Sequence, residues 1–564
     1  MEIRNRGSGF SHRERKASLK RMIDTEYDLL VVGGGITGTA TARDAASRGL
    51  KVALLERGDF ACRTSSNSSK LVHGGLRYLE NFEFKLVFES LSERAHLLKV
   101  APNMVRPMPF VIPVYKGTSR GMGLLSLGLW LYDTLSLFRT PGRHQRYSRK
   151  ELMREHPLVD SENLVGGFQY YDASMWDDVM AVEAARAASR LGVDVVTYFE
   201  AVKPQLEISG NKTRVTGYFC RDLLDAESTA MTLVRAKQIV LCVGPYTDLC
   251  LKTLGGESAR PQESVLKPST GVHLVFESSR FPVKTSYLLP VEKDGRVVFV
   301  LPRPDFGPGC VMVGTTDGAS EENPDDVTVR TEETQYLLDV ANRYFPTLKL
   351  TREDVISATV GIRPLFNPGS QSTLQSVSRE HHIDVTRSGV VYVVGGKYTT
   401  HRQMARDIVD QTLKIWLERA YSYGGPMPPS THHPDTSAPA NPSAVGDLNS
   451  KHAFLNSRYG SDGEKIEKLA SLENESCTDP DGFPCLLSQL RHCIREEMVL
   501  KLEDFYLRRI PLFLVRRDHG LPWVDQLSRV WAQEMGYEPN SKEAKDEAAA
   551  LRSAIERERK IRGL

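Results

Sequence analysis

The chain has 564 residues, more than one hydrophobic core usually organises, so we expect two to four domains. Hydrophobic residues make up 40% and charged residues 26% of the sequence, a balance that excludes an intrinsically disordered protein. Because the formal net charge is only +2, the chain as a whole does not attract nucleic acid, and its basic residues act locally.

The first feature along the chain is a basic segment over residues 1–24. It holds seven Arg and Lys residues and several serines, but also Glu2 and Glu14. This is a weak organelle-transit pattern, and a disordered basic tail fits the composition equally well. We predict a basic N-terminal tail and leave open whether it is a cleaved transit segment.

Residues 27–56 carry the pattern of a β-α-β unit. An apolar strand runs into glycines (YDLLVVGGG), a helix of small residues follows (ITGTATARDAASRG), and a second strand ends the unit (LKVALLE). Gly33, Gly35 and Gly38 form a G-x-G-x-x-G motif, and Glu56 ends the second strand. This context predicts dinucleotide binding, with a pyrophosphate at the helix N-terminus and a ribose 2′-OH on Glu56.

A polar stretch, RTSSNSSKLVHGG, follows the second strand at residues 63–75. An NAD enzyme requires nothing special at this place, whereas a flavin enzyme must hold the rest of an extended FAD there. Hydroxyl groups and exposed backbone N–H groups suit a diphosphate, a ribityl chain and a flavin edge. We therefore predict FAD as the cofactor.

Residues 120–139, RGMGLLSLGLWLYDTLSLFR, hold an apolar run between two arginines. A membrane-spanning helix needs about 20 apolar residues, and Asp133 with the serines and glycines argues against one. A segment lying on a membrane surface fits better, because Trp130 and Tyr132 suit the headgroup boundary. We predict peripheral membrane contact here, with a core helix as the alternative.

Later apolar stretches complete the predicted fold. Residues 236–244 and 389–396 are typical of buried strands that stop at glycine, so with the first strand they indicate one parallel sheet. Three further stretches predict antiparallel strands of a second domain: RVVFVLPRP, CVMVGTTD and GVHLVFE.

These patterns also predict the domain boundaries. An FAD-binding domain interleaved with a substrate-binding domain is expected over 25–423, the substrate part lying mainly at about 100–165 and 260–360. The proline-rich residues 424–448 predict a linker, and the helical spacing in 449–564 predicts a small C-terminal domain.

The later motifs closely resemble those of the FAD-dependent glycerol-3-phosphate dehydrogenase family. The resemblance covers about residues 25–412, resumes at DFYLRRIPLFLV, and rests on these stretches: GGGITGTA, TSSNSSKLVHGGLRYLE, GIRPL, SREHHID and GGKYTT. It implies an α/β fold with a Rossmann-like FAD-binding domain of the glutathione-reductase/D-amino-acid-oxidase type. An antiparallel β-sheet substrate domain and a small α-helical C-terminal domain would complete it.

The resemblance also implies a reaction and a location. The reaction would be oxidation of sn-glycerol 3-phosphate to dihydroxyacetone phosphate, with electrons passing from reduced FAD to ubiquinone at a membrane. The motifs look closer to mitochondrial than to bacterial members, so the mitochondrial inner membrane is expected and a bacterial plasma membrane is the alternative. A homodimer is left open.

Individual residues take roles by the same resemblance. Arg363 would be the cation beside the reacting oxygen, His273 the base that takes the hydroxyl proton, and Lys397 would also stabilise the reduced flavin. A phosphate dianion needs several charge-assisted donors. Four side chains would supply them: Arg77, Tyr78, Arg379 and Lys397.

The predicted FAD contacts come from the glycine motif, the polar stretch and later strand ends. They are Gly33, Gly35, Gly38, Glu56, Thr64, Ser65, Ser66, Ser69, Lys70, His73, Gly74, Val202, Gly244 and Gly396. No metal site is predicted, because the chain has neither a zinc-ligand spacing nor an EF-hand loop.

Other interpretations share parts of this pattern. A glycerol-3-phosphate oxidase would use the same substrate site but pass electrons to O₂, so only the acceptor distinguishes it. A flavin-binding protein without turnover would lack the phosphate cluster or Arg363, and both are present. An oxidase of the D-amino-acid or sarcosine type would need a carboxylate clamp rather than HGGLRY with SREHHID.

Overall fold

The structure is a computed structural model, and it describes residues 10–80, 82–210, 212–225, 229–254, 264–320, 323–368, 380–423, 427–429, 453–475 and 482–564. The strands are β1 (Glu26–Val32), β2 (Val52–Leu55), β3 (Leu71–Val72), β4 (Val105–Tyr115), β5 (Gln145–Ser148), β6 (Leu164–Met175), β7 (Asp194–Val196), β8 (Phe199–Ser209), β9 (Lys212–Asp222), β10 (Thr232–Leu241), β11 (Ser269–Glu277), β12 (Ser286–Val291), β13 (Arg296–Arg303), β14 (Cys310–Gly314), β15 (Gly318–Ala319), β16 (Val355–Arg363), β17 (His381–Val385) and β18 (Val391–Gly395).

The helices are α1 (His12–Asp24), α2 (Ile36–Ser47), α3 (Phe84–Val100), α4 (Met122–Leu135), α5 (Arg149–Glu155), α6 (Asp177–Arg190), α7 (Thr247–Thr253), α8 (Thr331–Tyr344), α9 (His401–Tyr423), α10 (Ala453–Tyr459), α11 (Asp462–Leu472), α12 (Leu486–Glu496), α13 (Leu502–Arg508), α14 (Leu512–Val515), α15 (Val524–Met535) and α16 (Lys542–Ile561). Short 3₁₀ turns include Thr64–Ser66, Leu76–Leu79 and Gly244–Tyr246.

The first sheet has a parallel centre. Strands β18, β10, β1, β2 and β7 pair in parallel in this order, and β17 adds an antiparallel edge. Helices α2, α6 and α9 pack together beside these strands. The three glycine-terminated segments predicted to share a sheet are β1, β10 and β18, which lie side by side because their continuous apolar runs suit strands buried on both faces. The predicted Rossmann-like domain is confirmed.

The second sheet is almost entirely antiparallel. Its order is β15-β11-β14-β13-β12-β4-β6-β3, with β16 on β11, β5 on β6, and one parallel pair between β12 and β4. The three stretches predicted as antiparallel strands are β11, β13 and β14, and they are neighbours. In this register His273 lies opposite Thr359, and Ser269 lies opposite Arg363. Two predicted catalytic residues, far apart in sequence, therefore come to adjacent strands.

The N-terminal segment differs from its prediction as a basic tail. Residues 12–24 form α1, which packs against β7 and β10. Arg15 is buried, donates from Nε to the Thr197 carbonyl at 2.8 Å, and pairs with Asp222 at 2.6 Å. A buried guanidinium needs such partners, so the charge of Arg15 is used in holding α1 against the rest of the protein. The structure therefore corrects the prediction over residues 12–24.

The apolar run at 120–139 forms α4, whose two sides differ. Tyr132 is buried and donates to Asp172 Oδ1 at 2.7 Å, so its predicted place at a headgroup boundary is wrong. Leu124, Leu127 and Trp130 form an exposed stripe on the same helix, with Leu127 68% exposed. None of the helices in the described part of the chain is long and apolar enough to cross a membrane.

Helices α10–α16 form the predicted helical C-terminal domain. Their apolar side chains share one core with residues of the second sheet, so this domain is packed on the body of the protein. Backbone contacts join it to distant segments, since Met498 N donates to the Phe10 carbonyl at 2.7 Å and Val329 N to the Ile561 carbonyl at 2.8 Å. The predicted linker, 424–448, lies outside the described residues apart from 427–429.

Candidate active site

A cavity of about 630 Å³ lies between the two sheets. Its lining includes the glycine turn after β1 as well as His273, Arg363 and Lys397. Cofactor and small-molecule sites typically occupy several hundred Å³, so one ligand of cofactor size fits here. In folds of this kind, nucleotides bind at the carboxyl ends of the parallel strands.

At the glycine turn, the backbone of Gly33 lies close to the backbone of Cys242, at one part of the cavity. Gly33 has φ of +111°, and a Cβ there would lie 2.4 Å from the Cys242 carbonyl oxygen. A Cβ on Gly38 would lie 1.8 Å from the Gly33 carbonyl oxygen, so Gly38 serves close packing and does not line the cavity. Helix α2 begins at Ile36, and its N-terminal N–H groups make this turn suited to a pyrophosphate.

Glu56 stands beside this turn. Its carboxylate accepts hydrogen bonds from Gly34 N at 2.6 Å and Gly58 N at 2.7 Å. Burial raises the pKa of Glu56 above its ordinary value, and the two backbone donors offset part of that rise. The two bonds fix the carboxylate at the cavity surface, where it has acceptor capacity left for a ribose hydroxyl.

The polar stretch divides into cavity-lining residues and residues that hold it in place. Thr64, Ser65, Ser69 and His73 line the cavity, and Ser65 Oγ accepts from Ile36 N at 3.0 Å, directly at the start of α2. An anionic ligand at this N-terminus would take over or share that donor.

Ser66, Lys70 and Gly74 lie away from the cavity lining. Lys70 is buried in an ion pair with Asp177 and donates to the Ser66 carbonyl at 3.0 Å. Gly74 N donates to the Tyr132 hydroxyl at 2.9 Å. A buried ammonium group needs a carboxylate partner, so Lys70 anchors the stretch where a direct cofactor contact was predicted.

Three predicted contacts from distant strands do reach the cavity. Val202 lies at a bulge of β8, Gly244 opens a 3₁₀ turn with φ of +53°, and Gly396 follows β18 with φ of +92°. Because glycine carries no Cβ, the last two let the chain turn at the ends of β10 and β18.

Arg363, at the end of β16, donates hydrogen bonds to several acceptors. Its Nη1 donates to the Thr270 carbonyl at 2.9 Å and lies 3.4 Å from Asp317 Oδ1, and its Nη2 donates to Thr315 Oγ1 at 2.9 Å. A Cβ on Gly271 would lie 2.2 Å from Nη2, so the guanidinium lies directly against this glycine of β11. The side chain is 26% exposed and lines the cavity, so its charge is fixed there.

His273 is a buried side chain at the same cavity. Its Nε2 lies 2.9 Å from Ser69 Oγ, and its Nδ1 lies 3.4 Å from Thr359 Oγ1. Burial, with the nearby charges of Arg363 and Lys70, lowers the pKa of His273 to about 3. The imidazole is therefore unprotonated and uncharged at neutral pH.

Two of the four predicted phosphate ligands, Tyr78 and Lys397, line the cavity. Lys397 Nζ lies 3.8 Å from the ring centroid of Tyr78, and both side chains line the cavity. Lys397 Nζ also lies 3.4 Å from Ser90 Oγ. Arg77 belongs to the 3₁₀ turn Leu76–Leu79, whereas Arg379 lies outside the described residues.

A carboxylate that the sequence did not reveal, Asp325, holds three side chains of the cavity lining. Asp325 Oδ1 accepts from Arg57 at 2.9 Å, from Arg63 at 2.7 Å and from the Tyr246 hydroxyl at 2.7 Å. The Arg57 guanidinium lies 4.5 Å from the Tyr246 ring centroid. Three of these residues line the cavity: Arg57, Arg63 and Tyr246. Each lies within two residues of a predicted FAD contact in sequence, so the sequence could have indicated them, but nothing in it marks Asp325.

The donor set of the cavity suits FAD. A glycine turn at a helix N-terminus, a carboxylate for a ribose and a row of hydroxyl side chains occupy the cavity wall together with five cationic side chains. Within the described part of the chain, no group of three or more His, Cys, Asp or Glu side chains is arranged to hold a metal ion.

Comparisons with known proteins agree with this geometry. Residues 28–411 match the family described as FAD dependent oxidoreductase, and residues 392–542 match the C-terminal domain of alpha-glycerophosphate oxidase. The aerobic glycerol-3-phosphate dehydrogenase of Bacillus subtilis strain 168 is 35% identical over 516 residues, covering 89% of this chain and 90% of that protein. The enzyme of that name from Staphylococcus aureus strain MRSA252 is 32% identical over 559 residues, covering 94% and 95%.

A solved structure extends the similarity to the whole fold. The glycerol-3-phosphate dehydrogenase from Bacillus halodurans, complexed with FAD, superposes with a TM-score of 0.72 at 26% identity, covering 97% of this chain and 98% of that one. FAD is the cofactor of this fold, and the resemblance noted in the motifs is confirmed. The chain belongs to the FAD-dependent oxidoreductase family, within the group that includes the aerobic glycerol-3-phosphate dehydrogenases.

Proposed function

We propose that the protein oxidises sn-glycerol 3-phosphate to dihydroxyacetone phosphate. The observation that carries this proposal is the convergence of Arg363, His273, Lys397 and Tyr78 on the cavity that also holds the dinucleotide turn. A phosphorylated alcohol needs both a cationic phosphate site and a base beside the reacting hydroxyl, and these residues supply that chemistry. The names of the relatives support the same substrate.

The oxidation removes a hydride from carbon and a proton from oxygen. FAD, when bound, accepts the hydride and so supplies the redox chemistry. His273 takes the proton at Nε2, which contacts Ser69 Oγ on the cavity wall. Arg363 stabilises the negative charge that develops on the substrate oxygen, because its guanidinium is already fixed by backbone and side-chain acceptors.

Lys397 and Tyr78 bind the substrate phosphate, together with Arg77 and Arg379. The short distance between the ammonium group and the Tyr78 ring supports a joint site. Replacing Arg77 with Met should raise KM for the substrate at least about tenfold while FAD stays bound, because one charge-assisted donor is lost. Normal KM in that variant would remove Arg77 from the phosphate site.

We further propose that electrons leave to ubiquinone at a membrane surface. The exposed stripe of α4 supports this, since Leu127 and Trp130 are 68% and 52% exposed, and Phe82 before α3 is 78% exposed. Apolar side chains of this kind next to arginines suit an interfacial position. The named relatives are bacterial, which favours a bacterial plasma membrane over the mitochondrial inner membrane.

Electron transfer to O₂ is a second candidate for the acceptor. The match of residues 392–542 to a domain named for alpha-glycerophosphate oxidase favours it. Both candidates share the substrate site, so the two functions differ only in the second half-reaction. Comparing turnover with a soluble ubiquinone analogue and with O₂ alone distinguishes them: peroxide formed at the full turnover rate would support the oxidase.

The first half-reaction is tested without any acceptor. The purified protein with FAD is made anaerobic, sn-glycerol 3-phosphate is added, and the flavin absorbance is followed. Bleaching is expected with this compound but not with glycerol or with the opposite enantiomer. If FAD is bound and the flavin does not bleach, the proposed substrate is wrong.

Membrane contact is tested by sedimentation with anionic lipid vesicles. The Leu127→Asp variant should bind vesicles about tenfold more weakly than the parent, because a charge at an interface opposes insertion. Leu472→Asp is the matched control, since Leu472 is 81% exposed on a different helix. Equal vesicle binding by both variants would remove α4 from the contact.

A further inference from the structure

A network of buried ion pairs joins the C-terminal domain to the cofactor domain. Asp59 accepts from Arg508 Nε at 2.7 Å and makes a two-pronged pair with Arg509, Nη1 to Oδ2 at 2.8 Å and Nη2 to Oδ1 at 2.9 Å. All three side chains are almost completely buried. Both arginines lie in the stretch DFYLRRIPLFLV, to which the proposed reaction gives no role.

Three carboxylates and three arginines form this network, because Arg458 also pairs with Glu497 at 2.8 Å. Arg508 also donates to Asp504 Oδ1 at 2.8 Å, and Arg509 Nε lies 3.3 Å from Glu497 Oε2. Burial by itself would raise the pKa of Asp59, but the two guanidinium groups outweigh it and hold the pKa below its ordinary value. Asp59 is therefore ionised, and removing its charge leaves buried cations with fewer partners.

Asp59 belongs to the loop that follows the second strand of the dinucleotide unit. One residue before it, Gly58 donates its N–H to Glu56 Oε1 at 2.7 Å. Two residues after it, Ala61 donates its N–H to the Gly34 carbonyl at 3.1 Å, with a positive φ of +58°. The loop therefore contacts both parts of the nucleotide site, the carboxylate and the glycine turn.

We propose that the C-terminal domain is a positioning element of the FAD site. Arg508 and Arg509 hold the loop around Asp59 in the conformation that fixes Glu56 and the glycine turn. Neither arginine lines the FAD cavity, so they act through Asp59 and not by contact with the cofactor. FAD affinity consequently depends on the C-terminal domain, although the dinucleotide motif lies more than 400 residues away in sequence.

The test measures FAD binding to apoprotein, by quenching of flavin fluorescence, in the full-length chain. Asp59→Asn should raise the Kd for FAD about tenfold or more, because the loop loses its ionic anchor. The matched control is Asp462→Asn: Asp462 is buried on α11 and pairs with Arg186 of α6 at 3.2 Å, joining the same two domains away from the loop. The control should lower the Tm of the apoprotein and leave the Kd for FAD within about twofold.

Equal Kd values for the two variants would overturn the proposal, since any loosening of the domain interface would then have the same effect. A second variant covers the case in which Asp59→Asn yields no folded protein. Arg509→Lys keeps the charge but loses the two-pronged geometry, so its Kd should lie between those of the parent and Asp59→Asn. If Arg509→Lys binds FAD as tightly as Asp462→Asn, the proposal is equally overturned.

Discussion

The two ends of the cavity are built in different ways. The cofactor end uses two short segments, the glycine turn at 33–37 and the loop at 56–65, and hydrogen bonds from backbone N–H groups to the Glu56 and Ser65 side chains fix it. The reaction end uses side chains from β11, β16 and the segment after β18, which only the second sheet and the end of the first sheet bring together. The reaction end depends on charged side chains in the cavity, whereas the cofactor end depends on backbone shape, which the ion pairs of Asp59 support from outside the cavity.

Because of this difference, experiments can separate effects on FAD affinity from effects on turnover. Substitutions at the cofactor end should change FAD affinity, because they alter the path of the backbone. Substitutions at the reaction end should change turnover while FAD stays bound, because they remove a charge or a base.

Arg363→Met should lower kcat/KM about 1000-fold, or about 4 kcal/mol, while the Kd for FAD changes less than about twofold. The reason is the loss of a fixed cation beside the reacting oxygen. The rate of anaerobic flavin bleaching checks this. Arg280→Met is the control, since Arg280 lies in the turn after β11 and pairs with Asp354, which precedes β16. Comparable loss in both variants would contradict a specific role.

His273→Asn should lower kcat about 100-fold with little change in KM, because the proton acceptor is lost. Since the pKa of His273 is about 3, the parent should show no acid limb from this residue between pH 5 and 8. A pH profile of kcat/KM checks this, with His156→Asn as a buried control that contacts Tyr287. An inflection near pH 6.5 that disappears in His273→Asn would show that the imidazole titrates normally.

Gly33→Ala should raise the Kd for FAD about tenfold or more, because the new Cβ would meet the Cys242 carbonyl at 2.4 Å in a backbone region that favours glycine. Turnover at saturating FAD should change much less. Flavin fluorescence titration of the apoprotein checks the affinity. Gly128→Ala provides the control, since no atom lies within 4 Å of a Cβ there. Unchanged FAD affinity in Gly33→Ala would contradict the close-approach argument.

The effect of Glu547→Gln on stability should depend on pH. Burial raises the pKa of Glu547 to about 7, above the ordinary value of 4.5, while Leu502 N donates to it at 2.6 Å. A raised carboxyl pKa means that the folded state binds the proton more tightly, so its stability falls as pH rises from about 4.5 to 7. The Tm of the variant relative to the parent should therefore rise across this interval. A pH-independent difference would show that Glu547 titrates normally.

The sequence was informative wherever a site consists of neighbouring residues. The glycine motif, Glu56 and the hydroxyl-rich stretch could be predicted because they are local and their chemistry requires particular residue types. Lys70 shows the limit: its position in that stretch favoured a cofactor contact, but Asp177 lies close enough to pair with it. No local pattern reveals which carboxylate will neutralise a buried ammonium group.

The sequence by itself determined the parallel cofactor sheet, the dinucleotide turn and the family, because apolar runs and contiguous motifs carry that information. Only the tertiary structure decided that α1 belongs to the fold, that Asp325 pairs with Arg57 and Arg63, and that Arg509 reaches Asp59. The physical reason is common to all three. A buried or fixed charge must find its counter-charge in space, and residues far apart in sequence supply it.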